Sequence, residues 1–224
     1  MRIAVLGTGM VGRALADRLD ELGHEVAVGT RDVAGTLART VPDGEVSYAA
    51  WQREHPSVRT ETFAAAAAAA ELVVNATGGT ITLDALAAAG AANLAGKVLL
   101  DISVPLDFSK GFPPTLFVSG DDSLGERVQA AFPEARVVKA LNTMNAEVMV
   151  RPALLGDDGH TVFVSGDDAE AKAVVTGLLT SFGHTDVLDL GDITTARGTE
   201  MLLPLWLRLM GALGTHVFNF KVVR

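Results

Sequence analysis

The 224-residue sequence contains no cysteine and a single tyrosine, Tyr48. The lack of cysteine excludes disulfide bonds, thiolate nucleophiles and cysteine-ligated metals, and it fits a reducing compartment. No uncharged apolar stretch reaches the roughly 18 residues that a membrane-spanning helix needs. The first residues form a predicted strand rather than a secretory signal peptide. We therefore expect a cytoplasmic protein without a membrane partner.

Basic residues are scarce as well. The chain has 18 lysines and arginines against 27 aspartates and glutamates, which gives a formal net charge of -9. This balance argues against a broad nucleic-acid-binding surface, because phosphate backbones are attracted by positive potential. We expect no nucleic-acid partner, and any anionic ligand must be bound by a local cluster of positive groups.

Residues for covalent or metal chemistry form no recognisable constellation. The five histidines are scattered, and none stands at helical spacing from a second metal ligand, so we expect no metal site. We expect most of them on the surface or in turns, with His216 as a candidate catalytic residue. This pattern suits a protein in which bound ligands carry the chemistry and the protein supplies position and orientation.

The N-terminal residues carry a dinucleotide-binding fingerprint. A short apolar run at residues 3–6 leads to Gly7, Gly9 and Gly12, and a helix with an apolar stripe is predicted after them. Gly7 suits a tight turn, Gly9 lets a pyrophosphate approach the backbone, and Gly12 lets the helix pack closely on its strand. The amides that begin the helix then face the pyrophosphate.

The end of the second predicted strand distinguishes between the two dinucleotides. NAD sites place a carboxylate there for the ribose hydroxyls, and that carboxylate would repel the additional phosphate of NADP. This chain has Thr30 and Arg31 instead, a hydroxyl and a guanidinium that suit a 2′-phosphate. Asp32 is either a ribose-binding acid displaced in register or the N-cap of the next helix, and the N-cap is favoured. We therefore predict NADP(H).

Short apolar strands alternate with helices along the chain, with strands predicted at 71–77, 97–103 and 136–141. This alternation is typical of an α/β protein with a Rossmann-type, doubly wound and mainly parallel sheet. We expect an NADP-binding Rossmann domain at residues 1–150. A small, tightly packed C-terminal subdomain at residues 151–224 is expected to complete the sheet and the acceptor site.

Three further segments need separate interpretation. The alanine run at 64–70 predicts a thin helix on the sheet, because alanine combines high helix propensity with little bulk. Residues 194–214 predict a helix that Pro204 kinks or divides. Residues 41–60 are polar and give no prediction.

In an open parallel sheet, ligands lie beyond the carboxyl ends of the strands. Polar or small residues follow five predicted strands here, which favours an extended cofactor along one edge of the sheet. The predicted cofactor-binding residues are Gly7, Thr8, Gly9, Met10, Val11, Gly12, Thr30, Arg31, Asn75, Ala76, Thr77, Ser103, Val104 and Asn142. Asn142 is also a candidate catalytic residue. Taken singly, Asn75 and Asn142 are also explained as turn residues that satisfy the backbone, but their shared position at strand ends favours a ligand. Asp101 is either an acid near the site or a buried residue with a backbone partner.

Beyond the fingerprint, the sequence resembles the family of NADPH-dependent reductases of the 8-hydroxy-5-deazaflavin coenzyme F420. The matching residues are Gly7, Gly9, Gly12, Thr30, Arg31 and Arg197, with the segments 137–143 (VVKALNT), 164–168 (VSGDD), 188–191 (LDLG) and 200–204 (EMLLP). The resemblance implies hydride exchange between the nicotinamide of NADP(H) and coenzyme F420 as co-substrate, within a homodimer.

The resemblance also implies a basic patch for the phosphate and glutamate tail of the deazaflavin. The available cations are Lys139, Arg151, Arg197, Arg208, Lys221 and Arg224. From Arg197 onward the chain contains a single acid, Glu200, to oppose them. Each of these cations is also explained as a solvated surface charge.

Two alternatives remain open from the sequence. One is an NADPH-dependent reductase of another acceptor, such as a flavin, a ferric chelate or a small carbonyl compound. A carbonyl reductase needs a proton donor near the nicotinamide, and Tyr48 lies in the segment without a predicted structure. The other is a regulatory module that binds NADP(H) without turnover. The apolar segment 206–213 is interpreted either as an internal packing helix or as a dimer surface.

Overall fold

The computed structural model describes residues 1–42, 44–156 and 159–224. Within them, the strands are β1 (Arg2–Leu6), β2 (Glu25–Thr30), β3 (Arg59–Thr62), β4 (Leu72–Asn75), β5 (Val98–Asp101), β6 (Leu106–Asp107), β7 (Thr115–Leu116), β8 (Arg136–Ala140), β9 (Thr161–Ser165) and β10 (Asp186–Asp189). The α-helices are α1 (Met10–Glu21), α2 (Val33–Ala38), α3 (Tyr48–Glu54), α4 (Phe63–Ala69), α5 (Thr82–Ala89), α6 (Ala91–Leu94), α7 (Leu124–Ala131), α8 (Ala146–Val150), α9 (Ala169–Phe182), α10 (Ala196–Met201) and α11 (Leu203–Leu213). Short 3-10 turns cover Gly79–Ile81, Pro152–Leu155 and Ile193–Thr195.

The central sheet contains eight strands in the order β10-β9-β8-β5-β4-β1-β2-β3. All neighbouring strands in it are parallel except β8 and β9, which are antiparallel. The carboxyl ends of β1, β2, β4, β5 and β8 therefore meet at one edge, and β9 begins at that same edge. Strands β9 and β10, which lie in the predicted C-terminal subdomain, belong to this sheet. The division of the chain into two units near residue 150 stays a prediction. A separate hairpin pairs β6 with β7.

Helices cover both faces of the sheet, because each strand points alternate side chains to opposite faces. Val5 of β1 packs on one face with Leu15 of α1. Leu6, the next residue, packs on the other face with Phe63 of α4. The predicted Rossmann-type, doubly wound and mainly parallel α/β fold is therefore confirmed.

The alanine run forms α4, as predicted. The Thr62 hydroxyl caps the helix by accepting a hydrogen bond from the amide of Ala65. Ala66 and Ala67 are buried, and the helix lies on β1 and β2. Small side chains let this helix approach the sheet closely.

Residues 44–62 contain structure that the sequence pattern did not predict. The Ser47 hydroxyl caps α3 by accepting from the amide of Ala50 at 3.1 Å. Trp51 of this helix is buried and stacks on His55, with ring centroids 4.6 Å apart. A helix of seven residues spans less than two full turns, so its periodicity is too short to distinguish it from a loop.

Pro204 divides the predicted C-terminal helix. Helix α10 ends at Met201, and α11 begins at Leu203 with Pro204 in its first turn. Proline is accepted there because the amides of a first turn have no helical acceptor. The predicted interruption is confirmed.

The expectation that the histidines lie mostly at the surface or in turns is wrong for two of them. His160 and His184 are buried, and their rings meet edge to face with centroids 5.4 Å apart. His184 uses Nε2 to contact the carbonyl of Met149 at 2.9 Å. Burial lowers the pKa of His184 to about 4, because the charged imidazolium loses its hydration.

This burial predicts a pH-dependent stability. In the unfolded chain His184 takes up a proton near its ordinary pKa of 6.5, whereas in the folded chain it stays neutral to about pH 4. The unfolded state therefore binds more protons in this window, and the free energy of unfolding falls as pH decreases from 6.5 towards 4. We expect His184→Gln to remove on the order of 3 kcal/mol of this pH dependence, measured by urea unfolding at several pH values. The exposed His216→Gln serves as the control and should follow the wild-type profile. An unchanged pH profile in His184→Gln would contradict the assignment.

Candidate dinucleotide-binding site

A cleft of about 520 Å³ lies at the carboxyl ends of β1, β2 and β4. Its position agrees with the rule that open parallel sheets bind ligands beyond the ends of their strands. Its lining residues are Gly7, Thr8, Gly9, Gly29, Thr30, Arg31, Asp32, Gly35, Thr36, Arg39, Phe63, Ala76, Thr77, Gly78 and Ile81. Seven of the predicted binding residues are thus brought together here, namely Gly7, Thr8, Gly9, Thr30, Arg31, Ala76 and Thr77.

The three fingerprint glycines meet different steric demands. Gly7 has a φ of +125°, and a Cβ there would lie 2.5 Å from the carbonyl oxygen of Ala76. A Cβ on Gly12 would overlap the carbonyl oxygen of Gly7, so α1 packs directly against the preceding turn. A Cβ on Gly9 would meet no atom within 4 Å. The open space at Gly9 is where a ligand can approach the backbone.

The start of α1 supplies unsatisfied amides beside this space. Gly9 is the N-cap and offers no side-chain acceptor to the first turn. The first helical hydrogen bond runs from the amide of Arg13 to the carbonyl of Gly9, which leaves the earlier amides of the turn without a helical acceptor. Together with the helix dipole, these amides favour an anionic group.

Two guanidinium groups line the cleft at the end of β2. Arg31 was predicted as a cofactor-binding residue. Arg39, which follows α2, was not predicted, because no motif relates a residue beyond that helix to the end of β2. Neither guanidinium takes part in the hydrogen bonds and ion pairs found among the described residues. Both cations are therefore available to an anionic ligand.

The residues between the two arginines have structural contacts of their own. The Asp32 carboxylate accepts a hydrogen bond from the amide of Gly35 at 3.0 Å and caps α2, so the favoured N-cap interpretation is confirmed. Asp32 nevertheless lines the cleft. The buried hydroxyl of Thr30 lies 2.7 Å from that of Thr36, which fixes the orientation of the strand end.

Three other predicted binding residues have buried side chains, and two of them, Asn75 and Ser103, bond to protein groups. Asn75 Nδ2 donates to Asp101 Oδ1 at 2.7 Å, while Asn75 Oδ1 accepts from the Thr77 hydroxyl at 2.7 Å. The hydroxyl and the amide of Ser103 both donate to Asp101 Oδ1, at 2.7 Å and 3.1 Å. Asn142 is buried as well, and its Nδ2 has no hydrogen-bond partner among the described residues.

The structure shows that the prediction for Lys139 is wrong. The sequence grouped this lysine with the cations available to a ligand, but its side chain is only 1% exposed. Its ammonium lies 2.9 Å from Asp101 Oδ2 and 2.9 Å from Glu200 Oε1, and it donates to the carbonyl of Ser103 at 2.5 Å. Burial acts to lower the pKa of Lys139, but the two carboxylates act more strongly, and the net pKa lies above the ordinary value. Lys139 therefore stays charged inside the protein.

Three of the remaining expected cations are paired with carboxylates. Arg151 pairs with Glu21 at 2.6 Å, Arg197 donates to Glu126 at 2.8 Å, and Arg224 pairs with Asp186 at 2.7 Å. These acids all precede Arg197 in the chain. Because only Glu200 was considered as an opposing acid, the sequence underestimated how many of these cations are paired. Arg208 is exposed on α11, and Lys221 has an interaction partner.

The other candidate residues lie outside the lining of the cleft. Met10 is exposed at the start of α1, Val11 is half-buried beside it, and Val104 is half-buried after β5. His216 is exposed in the segment after α11. The Tyr48 hydroxyl lies 2.9 Å from the Thr60 hydroxyl, and burial raises its pKa, so this tyrosine is a structural residue.

Neither a metal cluster nor a membrane-spanning helix is present in the described residues. The described residues contain no group of three or more histidine, aspartate or glutamate side chains arranged to hold a metal ion. In the same part of the chain, no helix has the length and apolar character needed to cross a bilayer.

Comparison with known proteins identifies the family. Residues 2–105 match the family described as coenzyme F420-dependent NADP oxidoreductases. The chain is 31% identical to the F420-dependent NADP reductase of Methanothermobacter marburgensis, over 93% of this chain and 92% of that protein. It is also 29% identical to the metalloreductase STEAP3 of Rattus norvegicus, over 92% of this chain but 38% of that protein.

A solved structure matches the chain over its full length. A crystal structure from Arthrobacter sp. FB24, assigned as an F420-dependent NADP reductase, is 62% identical, covers 100% of both chains and superposes with a TM-score of 0.96. Similarity over the full length of the chain, together with the cleft built on the glycine fingerprint, leads to one conclusion. The chain belongs to the family of F420-dependent NADP reductases.

Proposed function

We propose that this protein transfers a hydride between NADP(H) and the deazaflavin coenzyme F420. The observation that carries the proposal is the cleft with two guanidinium groups that pair with no acid among the described residues, found in a chain that matches an F420-dependent NADP reductase over 93% of its length. The two ligands supply the hydride donor and acceptor, and the protein supplies binding and orientation.

The residues of the cleft fit NADP(H). Arg31 and Arg39 would hold the 2′-phosphate, since guanidinium groups form paired, charge-assisted hydrogen bonds with phosphate oxygens. The open space at Gly9 and the amides of α1 would hold the pyrophosphate. The lining continues to Ala76, Thr77 and Gly78, which favours a nicotinamide near the ends of β4 and β5.

The ionisable residues in the cleft also suit hydride transfer. Among the described residues that line it, the ionisable side chains are Arg31, Asp32 and Arg39, and Asp32 caps α2. Reduction of a carbonyl compound requires a proton donor beside the reacting atoms, and at the end of β5, towards which we place the nicotinamide, the described side chains of Asp101 and Lys139 are already paired with each other. Hydride exchange between two cofactors needs no such donor, so we favour it over carbonyl reduction.

Residues 151–224 would supply a wall for the acceptor. Strand β9 begins at the edge where the cofactor cleft opens, and the C-terminal segment lies beside it. The amide of Thr161 donates to the carbonyl of Phe220, and Asn219 contacts both His160 and the sulfur of Met144. The tail thereby joins β9 to the loop that follows β8. We propose that this region completes the acceptor site, which is the role predicted for the C-terminal subdomain.

Reversal of charge at Arg31 tests the cofactor assignment. We expect Arg31→Glu to lower the ratio of kcat/KM for NADPH to that for NADH by about a hundredfold, because a guanidinium–phosphate contact is replaced by repulsion. Arg39→Gln should lower the same ratio by about tenfold. Steady-state kinetics with both cofactors measure these ratios. Arg53→Glu is the matched control, since it makes the same charge change at an exposed residue outside the cleft. An unchanged ratio in Arg31→Glu would overturn the assignment.

Spectroscopy tests the acceptor. Mixing the protein with NADPH and oxidised F420 should bleach the visible absorption of the deazaflavin, because hydride addition interrupts its conjugation. Flavin mononucleotide and a ferric chelate replace F420 in parallel reactions. Tight NADPH binding without bleaching would remove the leading proposal. Reduction of the ferric chelate alone would instead support the activity suggested by the name of the rat relative.

We also propose a homodimer formed through α11. This helix is almost entirely apolar, yet Leu205 and Leu213 are 49% and 56% exposed, and Leu203 is its one fully buried residue within the described chain. Large apolar side chains on an exposed helix face are typical of an interface. A second copy is the favoured occupant, because the sequence resemblance implies a homodimer and isologous packing of one helix on its own copy needs no other partner.

Molecular mass in solution tests the dimer. The wild type should sediment at twice the mass of the chain, and Leu205→Glu should sediment as a monomer, because a buried carboxylate is costly without a partner. Val174→Glu is the control, since Val174 is 41% exposed on α9, and it should stay dimeric. A monomeric wild type at the concentrations used for catalysis would contradict the proposal. The cytoplasmic location and the lack of a nucleic-acid partner stay predictions.

A further inference from the structure

A single buried carboxylate joins two loops at the ligand edge of the sheet. Asp101 is the last residue of β5, and it is fully buried. Its Oδ1 accepts from Asn75 Nδ2 and from the amide and hydroxyl of Ser103, while its Oδ2 accepts from the ammonium of Lys139. Four donors from three neighbouring strands and loops therefore converge on one side chain.

The loops joined by Asp101 are those that extend from the cleft. On the β4 side, Asn75 holds the Thr77 hydroxyl at 2.7 Å, and Thr77 lines the cleft. On the β5 side, Ser103 is held directly and is followed by Val104. A Cβ on Gly79 would overlap the carbonyl of Val104, so the two loops also pack against each other. A shift of Asp101 would thus move both loops.

The second carboxylate of the ion cluster faces a different part of the protein. Glu200 lies as close to the Lys139 ammonium as Asp101 does, at 2.9 Å in both cases. Its other contacts are the amides of Leu124 and Gly125, at 2.8 Å and 3.0 Å. These amides begin α7, so Glu200 anchors a helix, whereas Asp101 anchors the ligand edge.

We propose that Asp101 is a positioning residue for hydride transfer, which fixes the loops after β4 and β5 against the nicotinamide end of the cofactor. The inference rests on the proposed function, because it takes the nicotinamide to lie beyond Thr77. Asp101 acts through Asn75, Thr77 and Ser103 and does not itself touch the ligand. The Lys139 ammonium keeps the carboxylate in place by pairing with it and by holding the Ser103 carbonyl.

Two isosteric variants separate positioning from stability. Asp101→Asn and Glu200→Gln each remove one carboxylate at the same distance from Lys139. We expect comparable decreases in the urea midpoint of unfolding. Asp101→Asn should lower kcat at saturating NADPH and F420 by roughly tenfold to a hundredfold, as expected for misplaced reacting groups. Glu200→Gln should retain kcat within about twofold.

Ligand fragments provide a readout besides activity. Asp101→Asn should weaken binding of NADPH, whereas binding of 2′,5′-ADP should stay within about twofold of wild type, because this fragment lacks the nicotinamide and carries the phosphates bound near Arg31 and Gly9. Isothermal titration measures both affinities. If NADPH binds and F420 is not reduced by the wild type, the proposed acceptor is wrong, and the affinity comparison still tests the positioning role.

If Asp101→Asn does not fold, Ser103→Ala tests the positioning role in its place. This variant removes one hydrogen bond to Asp101 and leaves the ion cluster intact. It should lower kcat by about threefold to tenfold with little change in stability. Equal losses of kcat in Asp101→Asn and Glu200→Gln would overturn the inference, as would wild-type kcat and NADPH affinity in Ser103→Ala.

Discussion

The buried ion cluster around Lys139 connects the sheet to the C-terminal helices. An ammonium at this depth is strongly destabilising without partners, so Lys139 of β8 requires the carboxylates of Asp101 and Glu200. Glu200 belongs to α10 and also accepts from the amides that begin α7. Charge pairing therefore places α10 and α7 relative to the sheet, and α11 continues from α10. The same cluster reaches the ligand edge through Asp101.

This arrangement explains why polar side chains at the strand ends bond to one another and leave other groups for the ligand. Asn75, Asp101 and Ser103 turn their side chains towards one another, and these hydrogen bonds satisfy groups that would be costly to bury alone. At the end of β4 the surface left for the ligand consists of Ala76, Thr77 and Gly78. These small residues have few rotatable bonds, so this part of the cleft is organised before the ligand arrives.

The parts of the site that the sequence predicted are those with local causes. Gly7 has a positive φ within the turn, a Cβ on Gly12 would overlap the carbonyl oxygen of Gly7, and Asp32 caps the helix that follows it directly. Because these causes act over a few positions, the spacing of such residues along the chain can be recognised in the sequence. The role of Lys139 depends on partners far along the chain, but a signal was present, because a lysine inside the apolar strand 136–141 must find a buried counter-ion. His184 is buried against the carbonyl of Met149, and His160 contacts Asn219 and the ring of His184; these contacts join distant parts of the chain, so no local pattern predicts them.

An acidic protein that binds anions must separate its free cations from its paired ones. Arg151, Arg197 and Arg224 already pair with carboxylates, and each would have to exchange that partner for a ligand phosphate. Arg31 and Arg39 have no such exchange to make, so their full attraction is available to a phosphate between them. The net charge of -9 opposes this binding only weakly, because salt screens exposed charges beyond about 8 Å at physiological ionic strength. Local pairing, and not the overall charge, therefore determines where an anion binds.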